Sequence, residues 1–359
     1  MKIIAFTKYG TLGASSRMRF EQYIKRFAKT EIDVLVQPLI SNGMLEFKYD
    51  SGAYAFCSLI KAYAKRLLAM LAIDKYDLVW IEKEALPWLP LWLENIFLKD
   101  CKYVLDFDDA TFHDYDQHRL KIVRFIFGKR IDGLMKKSTL VVAGNSYLAN
   151  RAKRSGAKNV DVIPTVIDID RYKIVAKKTN TYLDQLPCIV WIGSPSTVSY
   201  IYLIKDALIN LSKKHNFVLK VIGGNSIEMA GVNIIKIDWS EDTEVNNLMT
   251  SDIGIMPLYD SCWERGKCGY KIIQYMACGL PSVASSIGAN VEIINSPAVG
   301  FLASSQEEWE AALDLLLSDQ KLRISIGNKA RERVEAKYCI QKTESGMKNL
   351  LFNVSKGVI

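Results

Sequence analysis

Histidine is scarce in this sequence, which has three in 359 residues. Cysteine is more frequent, but none of the seven belongs to a C-x-x-C pair: Cys57, Cys101, Cys188, Cys262, Cys268, Cys278 and Cys339. Structural zinc sites need closely spaced cysteines and histidines, so the composition argues against such a site. Scattered cysteines in an odd number are typical of reduced thiols, so we expect a cytoplasmic protein.

Long apolar runs are also missing. No stretch reaches about 18 uninterrupted apolar residues, so we expect no transmembrane helix. The opening segment MKIIAFTKYG predicts a strand followed by a turn, and its apolar run is too short for a signal peptide. We therefore expect no export.

Dense blocks of basic charge are absent, although 47 basic residues outnumber 39 acidic ones and give a formal net charge of +8. Without such a block or a nucleic-acid-binding signature, we expect no nucleic acid partner. Two explanations of the charge stay open. It reflects ordinary surface lysines, or it attracts an anionic ligand or an anionic membrane surface.

Short apolar runs alternate with helical patterns in the first half of the chain. The runs predict strands at KIIAF (2–6), DVLVQ (33–37), LVWIE (78–82), KYVLDF (102–107), STLVVAG (138–144) and NVDVIP (159–164). Such alternation predicts an α/β domain, with a parallel sheet covered by helices on both faces.

The pattern then restarts. The second set of predicted strands is CIVWIG (188–193), FVLKVIGG (217–224), NIIKID (233–238), DIGIMPL (252–258) and PSVAS (281–285). A polar segment, RYKIVAKKTNTYLDQLP, precedes the restart and predicts a linker. Since 359 residues suit two domains, we expect two Rossmann-like doubly wound domains, residues 1–172 and 173–342, that face a cleft.

Two loops of small residues follow strands, one in each half of the chain. YGTLGASSRMRF (9–20) contains Gly13 and serines where a helix would begin. WIGSPSTVSY (191–200) places three small residues in the same way: Gly193, Ser194 and Thr197. Free N–H groups at a helix start favour anions, so each loop suits a phosphate group. The alternative for the first loop is a plain strand-to-helix loop with a serine cap, and for the second an ordinary capped helix.

The segment LDFDDATFHDYDQH (105–118) concentrates acidic residues just after a predicted strand. Asp108 and Asp109 stand at the strand end, where ligands bind in this class of sheet. Carboxylates suit Mg²⁺, and they also accept strong hydrogen bonds from sugar hydroxyls. A solvated loop with helix caps is the alternative.

The stretch KCGYKIIQYMACGLPSVAS (267–285) predicts a helix from about Tyr270, ended by a Gly-Leu-Pro break. Gln274 is polar within an apolar helix, and Lys271 lies about one turn before it. Lysines at a helix start oppose its dipole, which indicates an anion nearby. A surface Lys-Gln pair is the simpler interpretation.

Taken together, these motifs resemble a glycosyltransferase of the GT-B fold, family-4 type (glycosyl transferases group 1). The motifs in order are YGTLGASSRMR, DFDDA, AGNSYLA (143–149), VIPTVID (162–168), WIGSPST, GIMPLYD and QYMACGLPSVA (274–284). They run from residue 9 to about residue 285, so the resemblance covers most of the chain. In this fold the tail, residues 343–359, packs back on the first domain.

The resemblance assigns roles to particular residues. Of the two glutamates in the family's E-x7-E motif, the second falls on Gln274 and the first on Gly266, with Glu264 nearby. Lys271 would meet the diphosphate. The implied nucleotide-sugar-binding residues are Gly13, Gly193, Ser194, Thr197, Glu264, Gly266, Lys267, Cys268, Gly269, Tyr270, Lys271 and Gln274. The expected catalytic residues are Asp108, Asp109 and Lys271.

The resemblance implies an enzyme of the EC 2.4 class that moves a sugar from a nucleotide diphosphate sugar to a cell-surface polysaccharide or lipid-linked glycan. We expect retention of configuration, and neither a metal nor another cofactor. Because both motif acids are missing, a catalytically silent nucleotide-binding scaffold is an alternative. A nucleotide-sugar 2-epimerase shares the fold and is another.

Residues 61–99 combine early basic residues with later aromatic and aliphatic ones. The side chains that would enter a membrane interface are Trp88, Leu89, Leu91, Trp92 and Phe97. Such contact predicts peripheral association with the inner face of the cell membrane, where lipid-linked acceptors lie. An ordinary amphipathic core helix is the alternative.

Overall fold

The computed structural model describes residues 1–28, 30–173, 186–224 and 226–359. The centre of the predicted linker, residues 174–185, lies outside the described residues. The chain divides into two compact units. Unit 1 comprises Met1–Thr165, Gly266–Cys268 and Thr343–Ile359, and unit 2 comprises Val166–Arg265 and Gly269–Lys342. The domain limits expected from the sequence, with a boundary at residue 172, stay a prediction.

Unit 1 alternates strands and helices. Its strands are β1 (Lys2–Tyr9), β2 (Asp33–Ile40), β3 (Leu78–Glu82), β4 (Tyr103–Phe107), β5 (Leu140–Ala143) and β6 (Val160–Val162). Its α-helices are α1 (Ala14–Ser16), α2 (Gln22–Phe27), α3 (Asn42–Ser51), α4 (Phe56–Met70), α5 (Leu91–Leu98), α6 (His113–Asp116), α7 (Lys121–Phe127), α8 (Arg130–Lys137) and α9 (Ser146–Arg154). A π-helical segment, Arg17–Glu21, joins α1 to α2, and Ile73–Lys75 is a 3₁₀ turn.

The sheet of unit 1 has six parallel strands in the order β2-β1-β3-β4-β5-β6. Strands β3, β4 and β5 are buried along their whole length, and their sequences are apolar apart from two acids near the strand ends, Glu82 and Asp106. The strand order reverses between β1 and β3. Ligands of doubly wound sheets bind where the order reverses, so the loops after these two strands mark the place for a site.

Unit 2 repeats the alternation. Its strands are β7 (Cys188–Ile192), β8 (Val218–Ile222), β9 (Asn233–Ile237), β10 (Ile253–Met256), β11 (Ser282–Ser285) and β12 (Phe301–Ala303). Its α-helices are α10 (Lys205–Ser212), α11 (Glu244–Met249), α12 (Cys262–Arg265), α13 (Tyr270–Ala277), α14 (Ala289–Ile293), α15 (Gln306–Ser318) and α16 (Gln320–Lys337). Pro195–Ile204 and Ile169–Arg171 are 3₁₀ segments, and α17 (Ile340–Lys356) runs from unit 2 into unit 1.

The sheet of unit 2 is also parallel, with the order β12-β11-β10-β7-β8-β9. Here the order reverses between β7 and β10, so the loops after these strands are the expected ligand position. Helix α13 packs against strands of this sheet. Gly269 immediately precedes the helix and has a φ of 64°, in the left-handed region, and Gly279 follows the helix with a φ of 70°. Glycine adopts this conformation without strain, which explains both ends of the helix.

Candidate functional site

In unit 1 the end of β3 carries a buried acid, Glu82, that holds the loop after β1. Its carboxylate accepts hydrogen bonds from the hydroxyls of Ser15 at 2.7 Å and Ser16 at 2.5 Å. The backbone N–H of Lys8 donates to the same carboxylate at 2.7 Å. Both serines of the predicted anion loop therefore bind a carboxylate of their own unit.

Lys83, the next residue, extends this network to β4. Its Nζ lies 2.7 Å from an oxygen of Asp108 and donates to Ser15 at 3.1 Å. Its backbone has a φ of 64°, unusual for a residue with a side chain, and its N–H donates to the carbonyl of Asp106 at 2.9 Å. Such backbone strain costs about 1–3 kcal/mol and is found mainly at functional sites.

Two predicted catalytic residues, Asp108 and Asp109, lie in this network with opposite shifts in acidity. Burial alone would raise the pKa of Asp108, but the Lys83 ammonium and further hydrogen bonds hold it below its ordinary value. Burial and the neighbouring Asp108 charge raise the pKa of Asp109, against the opposing effect of Lys83 and Lys267. Two carboxyl groups whose acidities are pushed apart suit different roles in proton chemistry.

A buried ion pair holds the end of β4 in place. Arg19 Nε donates to Asp106 at 2.7 Å, and its Nη1 donates to the Ile163 carbonyl at 2.7 Å. Burial raises the pKa of Asp106 to about 6, partly offset by Arg19. Arg19 therefore fixes the β4 end rather than facing a ligand.

The predicted donor-binding residues Gly266, Lys267 and Cys268 belong to unit 1. Asn145 Nδ2 donates to the Gly266 carbonyl at 2.9 Å and to the Lys267 carbonyl at 3.2 Å. A Cβ on Gly266 would lie 2.4 Å from the Cβ of Ala110. The position of the family's first glutamate is therefore packed against the loop after β4, with no room for a side chain in this arrangement.

Cys268 and Gly13 have structural contacts. The Cys268 thiol is buried and donates to the Asp108 carbonyl at 3.1 Å, and burial raises its pKa. A Cβ on Gly13 would lie 2.3 Å from the Cβ of Tyr9, so this turn needs glycine. Their predicted contact with a donor stays a prediction.

In unit 2 the loops after β7 and β8 begin with glycine, so they present backbone atoms rather than side chains. Gly193 follows β7 and Gly223 follows β8, and the Gly193 N–H donates to the Ile222 carbonyl at 3.0 Å. A Cβ on Gly223, whose φ is 79°, would lie 2.2 Å from the Gly193 carbonyl oxygen. The two loops therefore approach each other as closely as backbone allows, which requires glycine.

Lys271 reaches this glycine turn from α13. Its Nζ lies 4.1 Å from the centre of the Trp191 ring, a cation–π contact. A Cβ on Gly193 would lie 2.6 Å from the same Nζ. The structure thus places the lysine charge at the carboxyl end of β7, where the sequence predicted a diphosphate contact.

Hydroxyl groups continue the turn. Ser194 Oγ lies 2.9 Å from Ser196 Oγ and 3.4 Å from Thr197 Oγ1, and Ser194 and Ser196 are exposed. The segment that follows is a 3₁₀ helix, and the Ser194 side chain makes no capping bond to its backbone. The alternative of an ordinary capped helix therefore does not describe this loop. The backbone, hydroxyls and Lys271 together can surround an anion.

Glu264, the acid nearest in sequence to the position of the family's first glutamate, is bound by residues of its own unit. Its carboxylate accepts a hydrogen bond from the Tyr200 hydroxyl at 2.6 Å and another from Ser261. Tyr200 belongs to the 3₁₀ segment after the glycine turn. Glu264 therefore braces that turn within unit 2.

Gln274 is buried and its amide donates to the Tyr172 hydroxyl at 3.2 Å. This bond explains a polar residue within an apolar helix without invoking a ligand. Its neighbours differ in exposure, since Gly269 packs on Ile293 and Tyr270 is half-buried. Donor contacts by these three predicted residues stay predictions.

The sequence reasoning missed Glu82 and Lys83, the centre of the unit 1 network. A signal for them exists, because the charged run EKE (82–84) begins at the last residue of the buried strand LVWIE, just as DFDDA overlaps the end of the next strand. Among the described residues, no group of three or more His, Cys, Asp or Glu could hold a metal ion.

The predicted membrane residues divide into two groups. Trp88 and Trp92 are largely exposed, whereas Leu89, Leu91 and Phe97 pack against the core of unit 1. The second group is only partly exposed, and the membrane contact predicted for both groups stays a prediction. Across the described part of the chain, no helix is both long and apolar enough to cross a membrane.

Comparison with protein families identifies the second half of the chain. Residues 187–319 match the model of "Glycosyl transferases group 1". Residues 187–319 therefore carry a glycosyl transferases group 1 domain. The predicted family and the glycosyltransferase enzyme class are thereby confirmed. No curated protein matches the chain by sequence.

Solved structures of similar fold extend the likeness to the whole chain. HepE of Anabaena, solved with UDP, has a TM-score of 0.70 at 15% identity, over 98% of this chain and 100% of its own. A glycosyltransferase of Rickettsia africae gives 0.68 at 18% identity over 98% of each chain. WaaG, a glycosyltransferase involved in lipopolysaccharide biosynthesis, gives 0.67 at 14% identity, over 98% of this chain and 99% of its own. At such identities the likeness establishes the fold, and the predicted GT-B class is confirmed.

Proposed function

We propose that this protein transfers a sugar from a nucleotide diphosphate sugar to a cell-surface polysaccharide or a lipid-linked glycan, in the cytoplasm at the inner face of the membrane. HepE, which shares the fold, has been solved with UDP and with UDP-glucose. WaaG acts in lipopolysaccharide biosynthesis. These relatives support a uridine diphosphate sugar as the first donor to test and a glycan as the acceptor class.

One arrangement in unit 2 carries the proposal. Gly193 and Gly223 bring two strand-end loops together, and Lys271 Nζ stands beside Gly193 over the Trp191 ring. A positive charge beside close-packed backbone and exposed hydroxyls suits a diphosphate. The turn also lies where the strand order reverses, the expected ligand position in such a sheet.

The chemical step requires that the leaving diphosphate be stabilised as the bond to the sugar breaks. Lys271 and the backbone N–H groups after β7 would supply positive charge to it, which is the main need in such a transition state. We propose that this is sufficient without a metal, and that the sugar keeps its configuration. Activity that survives EDTA, and a product of unchanged anomeric form by NMR, would support these two points.

The acids of unit 1 are proposed to act on hydroxyl groups. Lys83 holds Asp108 ionised, while the raised pKa of Asp109 brings this group closer to neutral pH, where it can exchange a proton. Asp109 is the stronger candidate for contact with an attacking hydroxyl, and Asp108 for orienting a hydroxyl of donor or acceptor.

Isothermal titration with UDP, GDP, dTDP and CDP tests the donor site. We expect one nucleotide to bind, and Lys271→Ala to weaken it roughly 10–100-fold, because a bond to a charged group contributes about 1.5–3 kcal/mol. Lys205→Ala removes an exposed lysine of the same unit and serves as the control. No binding of any nucleotide, or equal weakening by both variants, would refute the proposed donor site.

A further inference from the structure

Helix α7 of unit 1 stands almost wholly outside the core. None of its seven residues, Lys121–Phe127, is buried. Ile122 is 59% exposed, Phe125 88% and Ile126 55%. Three large apolar side chains on one short helix form a patch that needs a covering partner, whereas single exposed apolar residues are common and need none.

The helix is nevertheless held in place. The Phe127 ring lies 6.4 Å from Trp88 and 6.0 Å from Tyr115, so its last residue anchors it to the loop after β3. Arg124 donates to the backbone carbonyls of His118 and Arg119 at its start. The exposed side chains are therefore presented by a fixed element.

The charges of the helix and of the residues that flank it in sequence have one sign. Residues 117–131 contain no Asp or Glu. They contain five basic residues: Arg119, Lys121, Arg124, Lys129 and Arg130. Arg130 is buried and paired with Glu84 and Glu94, whereas Arg119, Lys121 and Lys129 are exposed. Exposed cations beside exposed apolar groups match a surface that is anionic outside and apolar beneath.

Helix α4 adds a second element of the same kind. Along its exposed face lie apolar and basic side chains: Phe56, Ile60, Lys61, Lys65 and Leu68. The Tyr63 hydroxyl of α4 donates to the Pro87 carbonyl at 2.8 Å, and the next residue, Trp88, contacts α7. The two helices are thus linked through the loop after β3.

We propose that α7, with Trp88 and the exposed face of α4, docks unit 1 on an anionic lipid bilayer. Ile122, Phe125 and Ile126 enter the interface, and the exposed basic residues contact lipid phosphates. A lipid surface fits better than a protein, because α7 and the residues that flank it in sequence (117–131) combine exposed apolar side chains with charges that are all basic. The proposal concerns where the proposed transferase works, and it does not depend on its donor.

Flotation with vesicles tests this directly. We expect the protein to float with an equal mixture of phosphatidylcholine and phosphatidylglycerol, and much less with phosphatidylcholine alone. Ile122→Ser/Phe125→Ser/Ile126→Ser should weaken partition about tenfold or more, since each apolar group buried adds to membrane binding. Lys121→Glu/Lys129→Glu should remove the preference for anionic vesicles.

A matched control replaces exposed apolar residues elsewhere. Leu315→Ser/Ile324→Ser/Phe352→Ser should float like the unchanged protein, and circular dichroism and UDP titration should show that all variants are folded. Failure of the unchanged protein to float, or equal flotation of the α7 variant, would overturn the proposal. A dimer that the α7 variant loses, without flotation, would assign the surface to a second copy instead. UDP binding reports separately on the donor site.

Discussion

The two units share a plan but differ in what stands at their strand ends. Both sheets have six parallel strands, yet the order is β2-β1-β3-β4-β5-β6 in unit 1 and β12-β11-β10-β7-β8-β9 in unit 2. The reversal falls between the first and third strands of unit 1, and between the first and fourth strands of unit 2. The expected ligand position therefore lies between different loops in the two units.

The chemistry of these positions also differs. In unit 1 the expected ligand position is lined by charged side chains. Lys83 pairs with Asp108, and Ser15 connects Lys83 to Glu82 through hydrogen bonds. In unit 2 the expected ligand position is lined by backbone and hydroxyl groups, and the Lys271 ammonium lies over the Trp191 ring. A place made of backbone N–H groups and one cation suits a phosphate group, whereas a place made of acids suits hydroxyls. The comparison therefore supports the proposal that the donor diphosphate binds in unit 2 and that the acids of unit 1 act on hydroxyl groups.

Loss of the Asp109 carboxylate should have the largest effect. Asp109→Asn should lower UDP-glucose hydrolysis about 10²–10⁴-fold, the usual contribution of a positioned acid or base. Because the pKa of Asp109 is raised and its ionised form is required, activity should fall on the acid side at a higher pH than for an ordinary Asp. The measurement is UDP release against pH.

The exposed Asp114, in the same acidic segment, provides the control for that variant. Asp114→Asn should leave the rate nearly unchanged. A rate for Asp109→Asn equal to that of the unchanged enzyme would remove Asp109 from the reaction. An acid limb of the pH profile that persists in the variant would assign it to another group.

The buried Arg19–Asp106 pair at the strand ends of unit 1 can be tested through its contribution to the free energy of unfolding. Arg19→Ala leaves the Asp106 carboxyl buried without its partner, so the free energy of unfolding should fall by about 3–5 kcal/mol. Arg19→Met/Asp106→Leu should recover most of it. Urea denaturation gives these values, and Lys25→Ala, which breaks an exposed pair with Glu21, should cost at most about 1 kcal/mol. A small loss for Arg19→Ala would mean that the pair is not needed.

Gly223 tests the backbone character of unit 2. Gly223→Ala forces a Cβ to within 2.2 Å of the Gly193 oxygen at a φ of 79°, so the two strand-end loops must separate. We expect about 1–3 kcal/mol of lost stability together with weaker nucleotide binding. The control is Gly346→Ala in α17, where a Cβ meets nothing within 4 Å and should stabilise the helix by about 0.5–1 kcal/mol. Unchanged UDP affinity in Gly223→Ala would argue against a site at this turn.

The smallest effect is expected at the partner of Gln274. Tyr172→Phe removes a single hydrogen bond to the buried amide and should cost about 0.5–1.5 kcal/mol of stability. Thermal denaturation measures this loss. Gln274→Ala should weaken UDP binding more than Tyr172→Phe does if the amide also meets a ribose. Equal effects would leave Gln274 with a structural role alone.

Much of the fold follows from apolar runs in the sequence. Each predicted strand overlaps a strand of the structure, because strands of parallel sheets are rich in short apolar runs. The strand β12, Phe301–Ala303, escaped prediction because three residues carry too little pattern. The order of strands also could not be read, since it depends on which runs pair across the sheet.

The site was predicted less completely. Lys271 and Gly193 could be named as candidates because their neighbours along the chain mark them, whereas Gly223 could not, since its approach to Gly193 depends on strand pairing. Lys83 and Asp108 meet across two strands, 25 positions apart, and no local pattern encodes that contact. Gln274 was singled out because a polar residue in an apolar helix is unusual. Its hydrogen-bond partner Tyr172 lies 102 residues away in sequence, so the structural reason for this polar residue could not be seen in the sequence.

Titration of UDP into the unchanged protein, Lys271→Ala and Asp109→Asn tests the division between the units most directly. The division predicts that Lys271→Ala weakens UDP roughly 10–100-fold, whereas Asp109→Asn binds it as the unchanged protein does. Loss of UDP binding in Asp109→Asn, with binding retained in Lys271→Ala, would contradict the assignment of the donor to unit 2.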